Sequence, residues 1–167
     1  MFLDFDIRIK EKSRLPNLDD IESFCNKARQ SKPELGEFFQ VRSLGGNEEG
    51  TNKILHFIKS GEKTGTFSLP WISEEEGQKN TISGTNVVLI DYYRRPKVIV
   101  QIINPYLKRF DQIDHEATKL DGPTIREVKV WKEIHLKYWN SALSKYNKKC
   151  QNDMPVLVEP FEVIFQD

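Results

Sequence analysis

The chain has 167 residues, 38% of them hydrophobic and 30% charged, which is room for one domain with a real core. Its 25 basic and 25 acidic side chains cancel. Tight non-specific binding to duplex DNA, which needs a basic surface that releases counterions, is therefore not expected, whereas a small or single-stranded ligand fits the balance.

Near the N-terminus Phe2, Phe5, Ile7 and Ile9 partly alternate with charged residues and predict a short strand. Asn17 or Asp19 then caps a helix running to about Gln30, because Leu18, Ile21, Phe24, Cys25 and Ala28 fall on one face; Pro33 ends it. We expect residues 1–36 to form an N-terminal extension packed on a domain spanning 37–167. Phe39, Val41 and Ser43 read as a strand entering the Leu44-Gly45-Gly46 turn. Asn47 caps the next helix, Glu48 to Ser60, with Ile54, Leu55 and Ile58 at helical spacing and Gly61 as its stop.

A strand is predicted over 64–69, followed by an acid- and amide-rich surface loop over 72–83. Residues 86–93 and 97–103, rich in Val, Ile, Leu and Tyr, predict a hairpin turning at Arg94-Arg95-Pro96. A short helix over 111–120 and a longer one opened by Pro123 follow, the second with Trp131, Ile134, Tyr138, Trp139 and Leu143 as its apolar stripe. The last strand, 156–165, carries Pro160, which suggests an edge or bulge. Strands and helices in this irregular order define an α+β fold.

The chemistry concentrates between Gly61 and Trp71, GEKTGTFSLPW. Period-two alternation places the hydroxyls of Thr64, Thr66 and Ser68 on one face of the strand, and Lys63 stands in the turn before them. A cation at the mouth of a hydroxyl-lined strand suits a polar or anionic ligand; the plainer alternative is a solvated lysine beside a threonine-rich strand. Trp71, Tyr92 and Trp131 offer rings for stacking on a base, or else are core residues. His135 reads as a structural hydrogen-bonding residue.

Other chemistries lack their signatures. No apolar run approaches the roughly 20 residues of a membrane span, and the opening MFLDFDIRIK has neither the apolar region of a signal peptide nor a transit-peptide composition, so a cytoplasmic protein is expected. Cys25, Cys150, His56, His115 and His135 show no metal-ligand or disulfide spacing, so no metal or other cofactor is expected. No G-x-S-x-G elbow occurs.

In the order of its landmarks the chain resembles the ASCH family, named for activating signal cointegrator homology. That family's signature is close to G-x-K-x-x-T-x-R; Gly61, Lys63 and Thr66 match it, and Ser68 stands in place of the arginine, as in many members of the larger bacterial branch. Ser43-Leu44-Gly45, Gly84, Phe110-Asp111, Asp121-Gly122, Trp131 with His135, and Met154-Pro155-Val156 with Glu159 and Phe161 follow in the family's order. The resemblance covers about Phe38 to the end and implies a PUA-like β-barrel with helices packed outside. It also implies a ligand, single-stranded RNA or a modified nucleoside, held by Lys63, Thr64, Thr66, Ser68, Trp71 and Tyr92. Some members hydrolyse acylated cytidine or cleave RNA. In that reading Thr66 is the nucleophile, Lys63, its pKa lowered by burial, activates it, and the acid is Asp121 or, with a shifted alignment, Asp114. A protein-interaction module with a vestigial pocket is the third reading.

Overall fold

The structure is a computed structural model, and it describes residues 3–167. Phe2, included in the predicted first strand, lies outside them. The described chain divides into two compact units. One comprises the chain up to Gly61, Gly84–Ile102 and Glu162–Asp167; the other comprises Glu62–Ser83 and Ile103–Phe161.

In the first unit β1 (Asp4–Arg8) pairs in parallel with β2 (Phe38–Arg42), β2 in parallel with β4 (Asn86–Ile90), and β4 antiparallel with β5 (Pro96–Ile102). Every residue of β4 is buried, Val87 to Ile90 as an apolar run in a central strand and Asn86 with its side-chain amide donating to Leu35 O at 2.9 Å. Arg94 takes the left-handed conformation at the β4–β5 turn, φ 68°, and Asp91 closes that turn by accepting from Arg95 N at 2.9 Å. Helix α1 (Leu18–Ser31) starts where Asn17 accepts from Asp19 N and Asp20 N. Its Ile21, Phe24, Cys25 and Ala28 join Phe39, Val41, Val88, Ile90 and Ile99 in one core. The first 36 residues thus contribute a sheet strand and a core helix. Helix α2 (Glu48–Lys59) begins at the Asn47 cap, and Gly61 follows it at φ 79°.

In the second unit the part of β7 (Pro155–Gln166) up to Phe161 takes β3 (Gly65–Ser68) on one edge and β6 (Tyr106–Arg109) on the other, both antiparallel and both opposite Leu157 and Val158. No bulge occurs at Pro160; the β3–β7 register runs through it, with Pro160 opposite Gly65. Helix α5 (Val128–Ser144) buries Trp131, Trp139 and Leu143 against Phe110, Met154, Val156 and Val158. Burying a single large side chain of this kind stabilises by roughly 1.5–3 kcal/mol.

The fold is mixed α+β, but the closed barrel implied by the resemblance is not formed. Among the described residues the pairings follow an open path, β1-β2-β4-β5-β7-β3, with β6 added at β7. At the start of β3, Thr64 N and Gly65 N donate to the carbonyl of Leu120, at 2.8 and 3.1 Å.

Three local expectations also change. The loop placed over 72–83 begins as helix α3 (Pro70–Glu75), because Pro70 suits a first helical turn and Trp71 and Ile72 pack on the core. The helix over 111–120 is a 3-10 turn, Phe110–Gln112, followed by the short α4 (His115–Thr118). Pro123 does not open α5. The turn ahead of it is tied down by Arg126, whose guanidinium donates to Asp121 O at 2.8 Å and to Glu62 O, while Thr118 Oγ1 donates to Arg126 O at 2.6 Å.

Candidate functional site

The site is assembled from two turns of the second unit. Residues 62–65 lead from the end of α2 into β3, and residues 119–122 link α4 to the stretch before α5. The Leu120 carbonyl joins the two turns through Thr64 N and Gly65 N. Gly65 is required by closeness: a Cβ there would stand 2.8 Å from Leu120 Cβ. Arg126 spans the same junction from outside by holding a carbonyl of each turn.

Inside this junction Lys63 and Asp121 are both buried, and the ammonium donates to Asp121 Oδ1 at 2.8 Å and to Gly65 O at 2.7 Å. The carboxylate is fully engaged. Oδ1 also accepts from Gly122 N at 2.8 Å, and Oδ2 accepts from the Trp131 indole N–H at 3.2 Å. Charges removed from water are tolerated only when paired and hydrogen-bonded in this way. Trp131, wholly buried, carries the edge of Phe67 at 4.8 Å and the His135 ring stacked at 3.9 Å. The Phe67 ring lies 5.9 Å from the Lys63 ammonium.

His135 has a defined tautomer. Its Nδ1 lies 2.8 Å from the Trp131 carbonyl, which only accepts, so Nδ1 carries the proton and Nε2 keeps its lone pair. Burial pushes its pKa down to about 4, outweighing the upward pull of the Trp131 carbonyl. The imidazole is therefore neutral at physiological pH.

The structure brings Lys63 and Asp121 into contact and places Asp114 elsewhere. Asp114 caps α4 through Ala117 N and pairs with Lys108 at 2.9 Å, a hydrogen bond that holds its carboxyl below the usual carboxylate range. Thr64 is exposed just ahead of β3, and Thr66 and Ser68 are half-buried on it. Phe67 packs on the second core, so alternation turns Thr66 and Ser68 to the opposite face, where Thr66 stands across from Glu159. Trp71 lies on α3, half-buried beyond the end of β3. Tyr92 belongs to the first unit, with the Arg14 guanidinium 4.4 Å above its ring.

Sequence reasoning named Glu159 only as a landmark of the last strand and overlooked Arg126. Glu159 is completely buried, and a lone acid in VLVEPF was a readable signal of it. Arg126 had none, because a single arginine in a turn does not announce that its guanidinium binds two distant carbonyls. Among the described residues no cluster of three His, Cys, Asp or Glu is placed to hold a metal, and no helix is long and apolar enough to cross a membrane.

The mixed α+β fold matches solved ASCH domain structures. The ASCH domain family model matches residues 41–165, and the chain belongs to that family. The solved ASCH domain from Lactobacillus crispatus JV V101 superimposes with a TM-score of 0.81 at 18% identity, covering 89% of this chain and 96% of that one. A protein from Enterococcus faecalis V583 superimposes with a TM-score of 0.78 at 20% identity, covering 88% and 89%. These likenesses concern the fold. No curated protein matches the sequence.

Proposed function

We propose that this ASCH domain binds a nucleoside, free or within single-stranded RNA, at the start of β3, with Lys63 as its polar anchor. The supporting observation is the donor count of Lys63: Asp121 and Gly65 hold two of its three N–H groups and leave the third for a ligand oxygen or ring nitrogen. An ion pair buried this deeply adds little to stability compared with apolar side chains of the same volume, which favours a role in recognition. Thr66 and Ser68 add hydroxyls on the strand that follows. Calorimetric titration with free nucleosides tests the reading. Binding lost in Lys63→Met and retained in Asp114→Asn supports it; binding unchanged in Lys63→Met rejects it.

A second reading, hydrolysis of an acylated cytidine-type nucleoside, is favoured by the direct contact of Lys63 with Asp121. Both Asp121 oxygens are engaged, so the carboxylate would orient Lys63. Thr66 Oγ would lose its proton and attack the acyl carbon, the C–N bond would break as the base amine takes up a proton, and water would then hydrolyse the acyl-threonine to free the acid. Mass analysis of acylated nucleosides after incubation with the protein distinguishes the two readings.

A further inference from the structure

Beyond the β3 site, the second unit contains an open cavity of about 530 Å³ between α3 and the turn that follows α5. It is lined by Trp71, Glu74, Asn147, Lys148, Lys149 and Gln151. The volume falls within the roughly 300–1,000 Å³ of small-ligand sites. Both walls are held in place. Trp71 packs partly on the core beneath α3. Opposite it, the chain reverses after α5 with Asn147 in the left-handed conformation at φ 56°, Lys148 N bonded to Leu143 O, and Cys150 N bonded to the Asn140 side chain. Lys148 is engaged with Glu75 at 2.5 Å. Glu74, Asn147, Lys149 and Gln151 have no side-chain partner among the described residues, so their polar groups are available.

We propose that this cavity holds one nucleotide of single-stranded RNA, stacked on Trp71, with a preference for bases that carry an amino group. Each lining group matches one part of such a ligand. The indole gives a flat apolar face, which any base can cover. Lys149 supplies a cation for the phosphate. The Asn147 and Gln151 amides both donate and accept, as base edges require. The Glu74 carboxylate only accepts, so it favours the amino group of cytosine and gains nothing from the carbonyl that replaces it in uracil. The site is independent of the Lys63 anchor, although both are carried by one segment, since β3 runs directly into α3.

Tryptophan emission reads this site selectively. Of the three tryptophans, Trp131 and Trp139 are buried, and Trp71 borders the cavity. The full chain is titrated with short oligo(rC) and oligo(rU), following emission and, with labelled oligonucleotide, anisotropy. Oligo(rC) is expected to quench saturably and to bind more tightly than oligo(rU), and Glu74→Gln to narrow that difference. Trp71→Phe keeps anisotropy binding, and Trp71→Ala loses roughly tenfold. Lys149→Ala weakens binding and makes the slope of log affinity against log salt shallower by about 0.7. Loss of free-nucleoside binding in Lys63→Met reports on the β3 reading, and loss of oligo(rC) affinity in Lys149→Ala reports on this cavity, which separates the two proposals. The proposal is overturned if neither oligonucleotide quenches, if Lys149→Ala changes neither affinity nor salt slope, or if a glutamate-rich peptide quenches as well as oligo(rC).

Discussion

Lys63 and Asp121, 58 residues apart in the chain, meet at 2.8 Å inside the protein, and the same carboxylate receives the indole N–H of Trp131. This contact joins the turn ahead of β3 to the turn ahead of α5. Removing one partner leaves the other charged and unpaired. Lys63→Met is therefore expected to lower stability by about 3 kcal/mol, and the double variant Lys63→Met/Asp121→Asn to recover part of that loss. Urea unfolding of the single and double variants measures both. Equal stability of Lys63→Met and the parent would mean that the pair carries no such weight.

His135 gives the protein an acid-sensitive step. Its pKa is about 4 in the fold and about 6.5 in the unfolded chain, so the unfolded state takes up the proton first as pH falls. The stability that this residue contributes is present in full above pH 6.5 and is lost progressively down to about pH 4, amounting to about 3 kcal/mol. The groups facing it are Trp131, Phe67 and Trp139, with Asp121 and Lys63 acting on it electrostatically in opposite senses. Unfolding midpoints of the parent and His135→Gln across that range should converge toward low pH. Parallel curves would assign the acid sensitivity to other groups.

Gly65→Ala tests how closely β3 sits on its neighbouring turn. The new methyl would meet Leu120 Cβ at 2.8 Å and the Glu159 carbonyl at 3.4 Å, so one of the two segments must move. A loss of about 1–3 kcal/mol is expected in thermal unfolding. Leu120→Ala should not rescue it, because the closest atom is the Cβ that alanine retains.

Thr66→Ala separates binding from hydrolysis. In a purely binding domain it weakens nucleoside affinity by no more than one hydrogen bond, about 1 kcal/mol. In a hydrolase it abolishes turnover while leaving substrate bound, because the nucleophile acts mainly in the transition state. Calorimetry alongside product analysis reads both quantities from the same samples.

The two cysteines should react in order of exposure. Burial pushes the Cys25 thiol up to about 12 and places it wholly inside the first core, whereas Cys150 is half-buried beside the turn after α5. A thiol reagent is expected to label Cys150 in the native protein and Cys25 only after denaturant is added. Labelling of Cys25 in the native state would reveal opening of the α1 core.

Where the information is local, the sequence alone determined the outcome. The Asn17 and Asn47 caps, the stop at Gly61 and the apolar runs of β4 and β5 all act over a few residues, and each is found where its pattern lies; of the α5 stripe, Trp131, Trp139 and Leu143 are buried while Ile134 and Tyr138 are exposed. Helix boundaries near Pro70 and Pro123 depended on contacts beyond those patterns: Trp71 and Ile72 found a core to pack on, while Arg126 held the second turn open. The open path of the sheet was likewise not written in the strand patterns, because alternation tells which face of a strand is buried and not which strands pair. Which of Asp121 and Asp114 meets Lys63 was decided in the same way. Seven residues separate the two acids, and spacing could not rank them; the buried pairing of Asp121 with Lys63 and Trp131, against the exposed pairing of Asp114 with Lys108, is a property of the packed turns alone.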